Sequence, residues 1–275
     1  MKQNLCTITS KVEVTPGIHL MWIKTPKIAC SVLPGQFITV RCGDFTLRRP
    51  LGVHHVSSRE IALLFKVAGK GTLWLSQRQT GEGIDILGPL GRGFSIEPGT
   101  RNLLLIAGGI GITPLVFLMQ YASSQHQMTL IHGASTAAQL HPSAMPKIGP
   151  SSVGKKRSKL SPLPNGVQFI PVTEDGSMGK KGMATDILPD FLDWADQVYT
   201  CGPVDMYKTM AEMSWRAKQS NLKLRKCQVP LEVRMGCGFG ACYGCTINTK
   251  KGLKQVCRDG PVFELDDIIW QEVRI

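Results

Sequence analysis

The sequence predicts a multidomain β plus α/β protein: an antiparallel β-barrel, a doubly wound parallel sheet, and a small C-terminal loop domain. Three observations predict it. Residues 5–95 repeat short β-rich runs separated by turn signals, as in a small barrel. After Pro98-Gly99 strands and helices alternate, which calls for a parallel sheet. Cys237, Cys242, Cys245 and Cys257 then crowd into a Gly-rich stretch that follows the last helical pattern. The expected units are residues 1–98, 99–226 and 227–275.

In the first unit the β-rich runs are Thr7–Val14, His19–Ile23, Gln36–Arg41, Glu60–Val67 and Gly83–Leu87. Pro16-Gly17, Pro34-Gly35, Gly43-Asp44 and Gly81 mark turns between them. Gly71–Gln79 reads as a single helix across one mouth of the barrel. Two motifs stand out here, Arg48-Arg49-Pro50-Leu51-Gly52 and Gly69-Lys70-Gly71-Thr72. Paired arginines at a strand end are usually solvated, and a Gly-Thr step before a helix often only caps it. Together, a fixed guanidinium and a helix start can hold the phosphates of a flavin dinucleotide.

In the second unit Leu103–Ala107, Met128–His132, Gln168–Val172 and Gln197–Cys201 read as strands. Pro114–Tyr121, Thr185–Leu192 and Val204–Lys218 read as helices. The turn after the first strand carries Gly108, Gly109, Gly111, Thr113 and Pro114. Such a turn lets backbone approach a pyrophosphate at a helix start. Pro114 replaces the third Gly of the full G-x-G-x-x-G pattern, and packing is the alternative reason for the glycines. Cys201-Gly202-Pro203 ends the last parallel strand, so Cys201 is either a buried thiol or a nicotinamide contact. The connection of about 135–165 is long and reads as a partly disordered insertion.

The net charge is +12. Lys147, Lys155, Lys156, Arg157 and Lys159 lie in an acid-free stretch rich in Pro, Ser and Gly. That pattern is a solvated loop, with no nucleic-acid-binding motif beside it. The apolar run Leu103–Met119 is broken by Gly108, Gly109, Gly111 and Pro114, so no membrane span is expected. The first residues lack the apolar core of a signal peptide. A cytoplasmic chain is therefore expected, where clustered cysteines bind metal more often than they form disulfides.

The cysteine spacing is Cys237-x4-Cys242-x2-Cys245-x11-Cys257. Three cysteines spaced four and two apart, with a distant fourth, match the plant-type [2Fe–2S] arrangement. A four-cysteine zinc site is the alternative, although zinc sites usually repeat a ligand pair. The fourth ligand is expected on a short strand, Lys254–Cys257. No Ser/His/Asp arrangement is present, so no catalytic side chain is expected in this chain.

Taken in order, these motifs resemble the electron-transfer subunits of dihydroorotate dehydrogenase B, within the ferredoxin–NADP reductase superfamily. The match includes Gly88-Pro-Leu-Gly-Arg-Gly-Phe94, Glu232-Val-Arg-Met-Gly-Cys-Gly-Phe-Gly-Ala-Cys-Tyr-Gly-Cys245 and Gly260-Pro-Val-Phe263. The resemblance implies FAD contacts at Arg49, Pro50, Leu51, Gly52, Leu64, Phe65, Lys66, Gly71 and Thr72. It implies cluster ligation by Cys237, Cys242, Cys245 and Cys257, and NAD as the acceptor or donor of hydride. It also implies an FMN-containing catalytic dihydroorotate dehydrogenase partner, two copies of each chain, working in pyrimidine biosynthesis. A flavin subunit of a cytosolic hydrogenase or sulfur reductase is the runner-up. The chain departs from the family pattern in three places. Gly52 stands where Ser is usual, the span between the third and fourth cysteines is short, and the 135–165 insertion is atypical.

Overall fold

The computed structural model describes residues 2–140, 163–219 and 226–273. The basic stretch 147–159 and most of the 135–165 insertion lie outside the described residues.

The first sheet is built from β1 (Lys2–Thr15), β2 (Ile18–Lys24), β3 (Phe37–Val40), β4 (Arg49–Gly52), β5 (His55–Val56), β6 (Glu60–Lys66) and β7 (Gly83–Leu90). A short helix α1 (Pro26–Ala29) follows β2, and α2 (Lys70–Ser76) follows β6. All pairs are antiparallel, in the order β4-β3-β7-β1-β2-β6-β5. The two edge strands are consecutive in the chain. Residues 49–52 pair with β3, Val53 donates its N–H to Gln36 O at 3.2 Å, and the next N–H, of His54, goes to Ala62 O on β6 at 2.9 Å. One short segment thus bonds both edges and closes the sheet into a barrel, which removes free edges. Period-2 alternation decides what each strand face meets. Met21, Ile23, Ile61, Leu63 and Phe65 fill the barrel, while Leu20, Trp22, Ala62 and Leu64 pack outward onto the second unit.

The second sheet contains β8 (Asn102–Gly108), β9 (Gln127–Ala134), β10 (Val167–Thr173), β11 (Lys180–Lys181) and β12 (Gln197–Cys201). Helix α3 (Ile112–Ala122) joins β8 to β9, and α4 (Val204–Gln219) follows β12. β13 (Cys227–Pro230) extends the sheet. Beyond it come the hairpin β14 (Thr246–Thr249) and β15 (Gly252–Gln255), then α5 (Val256–Asp259) and β16 (Val262–Glu264). The order is β11-β10-β9-β8-β12-β13-β16, parallel except for β16. Leu103, Leu104, Leu105 and Ile106 on the central strand are fully buried, each contributing about 1.5–3 kcal/mol. The chain leaves β8 toward β9 and later crosses to β12 on its other side. That reversal puts a ligand crevice at the carboxyl ends of β8 and β12. The cysteine loop grows from the far edge, between β13 and β16.

The two sheets are locked together. Ser95 O, on the connection, accepts from Gln197 Nε2 and Tyr199 Oη, both at 2.9 Å. Phe117 of α3 reaches into the barrel core. Among the described residues no helix is long and apolar enough to cross a membrane.

Three expectations are corrected. The helix expected at 185–192 runs over 184–191 and is 3-10, with Pro189 inside it; in an α-helix its ring would clash with the carbonyl four residues earlier. Cys257 stands on α5, because the hairpin strand stops at Gln255. Arg49–Gly52 is a strand, where only a strand end was expected; its Pro is tolerated because β4 begins an edge.

Candidate functional site

The paired arginines separate. Arg48 Nη2 meets Asp85 Oδ2 at 2.6 Å, so Arg48 is an internal ion pair of the barrel. Arg49 Nη1 donates to Leu47 O at 2.5 Å, and its guanidinium stacks 5.6 Å from the Phe45 ring. The Arg49 side chain lies directly over Gly71: a Cβ there would strike its Nε and come within 3.0 Å of its Cγ. Gly71 therefore leaves room for this placement of the arginine, which a side chain there would displace. Thr72 Oγ1 accepts the N–H groups of Ala68 (2.9 Å) and Gly69 (3.2 Å), which sets the start of α2. A guanidinium beside a helix start is unfavourable on its own, since both are positive. An anion between them removes the conflict, and a flavin diphosphate fits.

The other flavin candidates divide. Pro50, Leu51 and Gly52 are half-buried on β4. A Cβ on Gly52 would meet nothing within 4 Å, so room remains where Ser is usual. Phe65 faces the barrel and stacks on His19 at 5.7 Å. Leu64 faces the second unit and lines a cavity of about 30 Å³ with Ile18, Gly109, Ile110 and His132. Lys66 is exposed. The strand therefore offers a ligand mainly Lys66 and its main chain.

At the crevice, Gly108 and Gly111 pack on the Cys201-Gly202-Pro203 turn. A Gly108 Cβ would come within 2.7 Å of Pro203 Cδ, and a Gly111 Cβ would strike the Cys201 carbonyl and lie 2.8 Å from Gly202 N. These two glycines are packing positions. Gly109 differs: its φ is +54° and no atom lies within 4 Å of a Cβ built on it. Thr113 Oγ1 donates to Ile110 O at 2.7 Å, and Pro114 occupies the first turn of α3. Cys201 is buried, and burial raises its thiol pKa well above the ordinary value. Tyr207 Oη, behind it, accepts from Gly202 N at 3.0 Å and donates to Pro230 O at 3.1 Å. Cys201 thus sits where the sequence placed it, with a buried thiol.

Sequence reading missed three neighbours of this crevice. His132 Nε2 contacts Gly109 O at 3.0 Å, and His54 Nδ1 contacts Thr113 O at 3.1 Å. Burial pushes the His132 pKa down to about 4. The Glu232 charge is felt at Cys201 and Tyr207, and desolvation raises its own carboxyl pKa, an effect limited by its solvent exposure. No local motif marks the two histidines, and Glu232, which opens the motif ending at Cys245, was given no role of its own.

The four cysteines converge in the C-terminal loop, and each sulfur accepts a main-chain N–H. Ala241 N–H faces Cys237 Sγ (3.3 Å), and Cys237 and Gly244 N–H face Cys242 Sγ (3.4 and 3.5 Å). Gly240 N–H faces Cys257 Sγ (3.1 Å) and Cys257 N–H faces Cys245 Sγ (3.4 Å). The Cys245 and Cys257 sulfurs lie 3.2 Å apart. Such N–H groups stabilise thiolates and tune clusters. At Cys237 burial opposes ionisation, but hydrogen bonds from its neighbours outweigh it and lower the thiol to about 6. Burial and the Cys245 sulfur push Cys257 up to about 12. Among the described residues no three His, Cys, Asp or Glu side chains are grouped to hold one metal ion. Four thiols that receive main-chain N–H groups fit an iron–sulfur cluster, whose sulfurs such bonds stabilise.

The loop is seated on the barrel. A Cβ on Gly238 would lie 2.9 Å from Thr39 Cγ2, and Thr39 is the register partner of Pro50 on β4. The Gly-Pro motifs at 88–91 and 260–261 also meet, with Arg92 N–H donating to Gly260 O.

The cysteine loop and the crevice correspond to two known domains. Residues 232–269 match the iron–sulfur cluster binding domain of dihydroorotate dehydrogenase B, and residues 105–212 match the oxidoreductase NAD-binding domain. The dihydroorotate dehydrogenase B (NAD(+)) electron transfer subunit of Desulforamulus reducens is 37% identical over 94% of this chain and 95% of its own length. The chain belongs to the family of dihydroorotate dehydrogenase B electron transfer subunits. Its relative in Listeria monocytogenes is 31% identical over 98% of this chain and 99% of that one. Among solved structures, the NADH-dependent reduced ferredoxin–NADP oxidoreductase studied for flavin-based electron bifurcation superposes with a TM-score of 0.79. It is 26% identical and covers 98% of this chain and 91% of its own. A ferredoxin–NADP+ reductase from Neisseria gonorrhoeae with bound FAD and NADP shares the fold, with a TM-score of 0.60 and 16% identity over 78% of this chain and 92% of that one.

Proposed function

We propose that this chain passes electrons between a catalytic dihydroorotate dehydrogenase partner and NAD+, through a [2Fe–2S] cluster and FAD, in pyrimidine biosynthesis. The observation that carries the reading is the seat of the cysteine loop on Thr39, one strand from the flavin candidates of β4. When bound, FAD exchanges hydride with nicotinamide and single electrons with an iron–sulfur centre. The residues of the chain bind and orient. Arg49 neutralises flavin phosphate, with Gly71 clearing its path and Thr72 fixing the start of α2. Main chain at Pro50–Gly52 and Leu64–Lys66 lines the flavin. Gly109 opens the turn to the dinucleotide, while Gly108, Gly111, Gly202 and Pro203 hold that turn against the Cys201 strand end. Cys237, Cys242, Cys245 and Cys257 ligate the cluster. Hydride transfer needs no acid–base pair here.

The partner carries FMN and assembles with two copies of each chain, in the cytoplasm. Phe239 and Tyr243 form the docking rim: both are exposed, and both lie between cluster ligands. Tyr243 has a φ of +59°, unusual for a bulky residue. Its carbonyl accepts from Thr246 N (3.1 Å) and Thr246 Oγ1 (2.7 Å), which holds that conformation. Aromatic side chains are frequent interface anchors.

The test is purification with the partner co-expressed, under anaerobic conditions. Iron, acid-labile sulfide and FAD are assayed, with iron and sulfide each expected at about two per chain. The complex should oxidise dihydroorotate with NAD+, and the lone chain should only reduce dyes with NADH. Stoichiometric zinc without iron sinks the redox reading. Unchanged assembly and electron transfer in both Phe239→Ser and Tyr243→Ser removes the rim from the docking surface.

A further inference from the structure

We propose that His132 and His54 are positioning residues that hold the Gly109–Thr113 turn in its phosphate-receiving form; this rests on the turn being the nicotinamide cofactor's site. The two rings come from different sheets. His132 is on β9, and His54 follows β4 two residues after Gly52. Both are fully buried. Each ring contacts one end of the turn, at Gly109 O (3.0 Å) and Thr113 O (3.1 Å). A carbonyl only accepts, so each contacting ring nitrogen carries the proton. Thr113 Oγ1 donates to Ile110 O between them. Three carbonyls of the turn are therefore engaged by interior donors.

This matters for an anion. Carbonyl oxygens repel phosphate and N–H groups attract it. In a trans peptide the C=O and the following N–H point in opposite directions. Drawing the Gly109 carbonyl to His132 thus turns the Ile110 N–H away from that ring. Gly109 itself is open, with nothing within 4 Å of a Cβ. The depressed His132 pKa keeps that ring neutral at physiological pH.

His54 has a second role through its place in the chain. It ties the segment carrying the flavin candidates to the first turn of α3. Gln120 on the same helix adds a matching pair of bonds to Val56, accepting from its N–H at 3.1 Å and donating to its O at 2.6 Å. His54 and Gln120 therefore together tie the flavin strand to the helix that follows the nicotinamide turn.

The test uses the full chain with both cofactors. NADH affinity is measured by calorimetry, and KM and kcat by dye reduction, for His132→Leu, His132→Gln, His54→Leu and Gly109→Asp. His132→Leu should weaken NADH binding about tenfold, the equivalent of one lost hydrogen bond, with FAD and cluster absorbance retained. His132→Gln, which keeps an N–H donor, should recover most of that loss. His54→Leu should lower kcat as well as affinity. Gly109→Asp separates the two levels, because Asp tolerates positive φ and its carboxylate would repel phosphate. If Gly109→Asp binds NADH normally, the cofactor site itself is misplaced. If Gly109→Asp loses binding while the Leu variants do not, only the histidine inference fails. Should the Leu variants not fold, nitrogen-15 NMR of the unsubstituted protein decides. Neutral rings protonated at His132 Nε2 and His54 Nδ1 support the inference, and the opposite tautomers overturn it.

Discussion

Two glycine-rich segments of this chain serve different masters. In residues 236–245 the backbone wraps sulfurs of its own loop, and the main-chain N–H groups of Gly240, Ala241 and Gly244 point at cysteines nearby in sequence or just across the hairpin. In residues 108–111 two of three glycines answer to a strand end far along the chain, Cys201-Gly202-Pro203. A site of the cysteine-loop kind is legible from spacing alone. A turn of the 108–111 kind has the same sequence pattern whether its glycines serve a ligand or a neighbouring backbone, and only tertiary contact tells the two apart.

The comparison breaks most visibly at the cysteines. Cys245→Ala should abolish the cluster, with iron and labile sulfide lost and FAD retained; persistence of both inorganic components would show that Cys245 is not a ligand. Next comes Gly111→Val. Its Cβ would strike the Cys201 carbonyl, and backbone on both sides leaves no easy relief. A loss of about 3 kcal/mol or more is expected in urea unfolding, at the upper end of overpacking costs. Little change would mean that the two turns separate freely.

Acid reads the same region through His132. In the folded chain it stays neutral to about pH 4, whereas its ordinary value is 6.5. Between these values the unfolded chain binds the extra proton. Stability is therefore full above about pH 6.5 and falls as pH drops toward 4, by up to about 3 kcal/mol. His19 and His55, also lowered by burial, act in the same direction. His132→Gln should flatten part of the acid loss in urea midpoints between pH 7.5 and 5; an unaltered slope assigns the loss elsewhere.

The arginine pair sharpens the contrast at the barrel. Arg49→Ala should weaken FAD binding by about 1.5–3 kcal/mol, the range for a charge-assisted bond, without displacing the cluster. Arg48→Ala should leave FAD in place and cost the fold about 1 kcal/mol through Asp85. Reversed effects in flavin fluorescence titrations would exchange their roles. A small effect of the same order is expected at Gly109→Ala: space is free, so only the positive φ counts, about 1–2 kcal/mol. A cost equal to that of Gly111→Val would erase the distinction between the two glycines.

Part of this protein was readable before any coordinates. The barrel strands followed from period-2 runs and turn residues, and β8–α3 from an apolar run ending in Gly and Pro. The gathering of the four cysteines in one loop followed from their spacing. β4 escaped because Arg-Pro-Leu-Gly has neither alternation nor β-branched residues; it is a strand because β3 lies beside it. The helix expected at 185–192 is present over 184–191, and its 3-10 form has a local reason that the sequence did contain, Pro189.

The sequence by itself determined the order of the units and the chemistry of the cysteine loop, since both depend on residues close together along the chain. Tertiary structure decided which arginine is internally paired, why Gly111 bears no side chain, that the Cys201 thiol is buried, and that two distant histidines meet one turn. Each of those depends on which segments pack together. Burial of apolar faces brings such segments into contact, and no spacing between neighbouring residues records it.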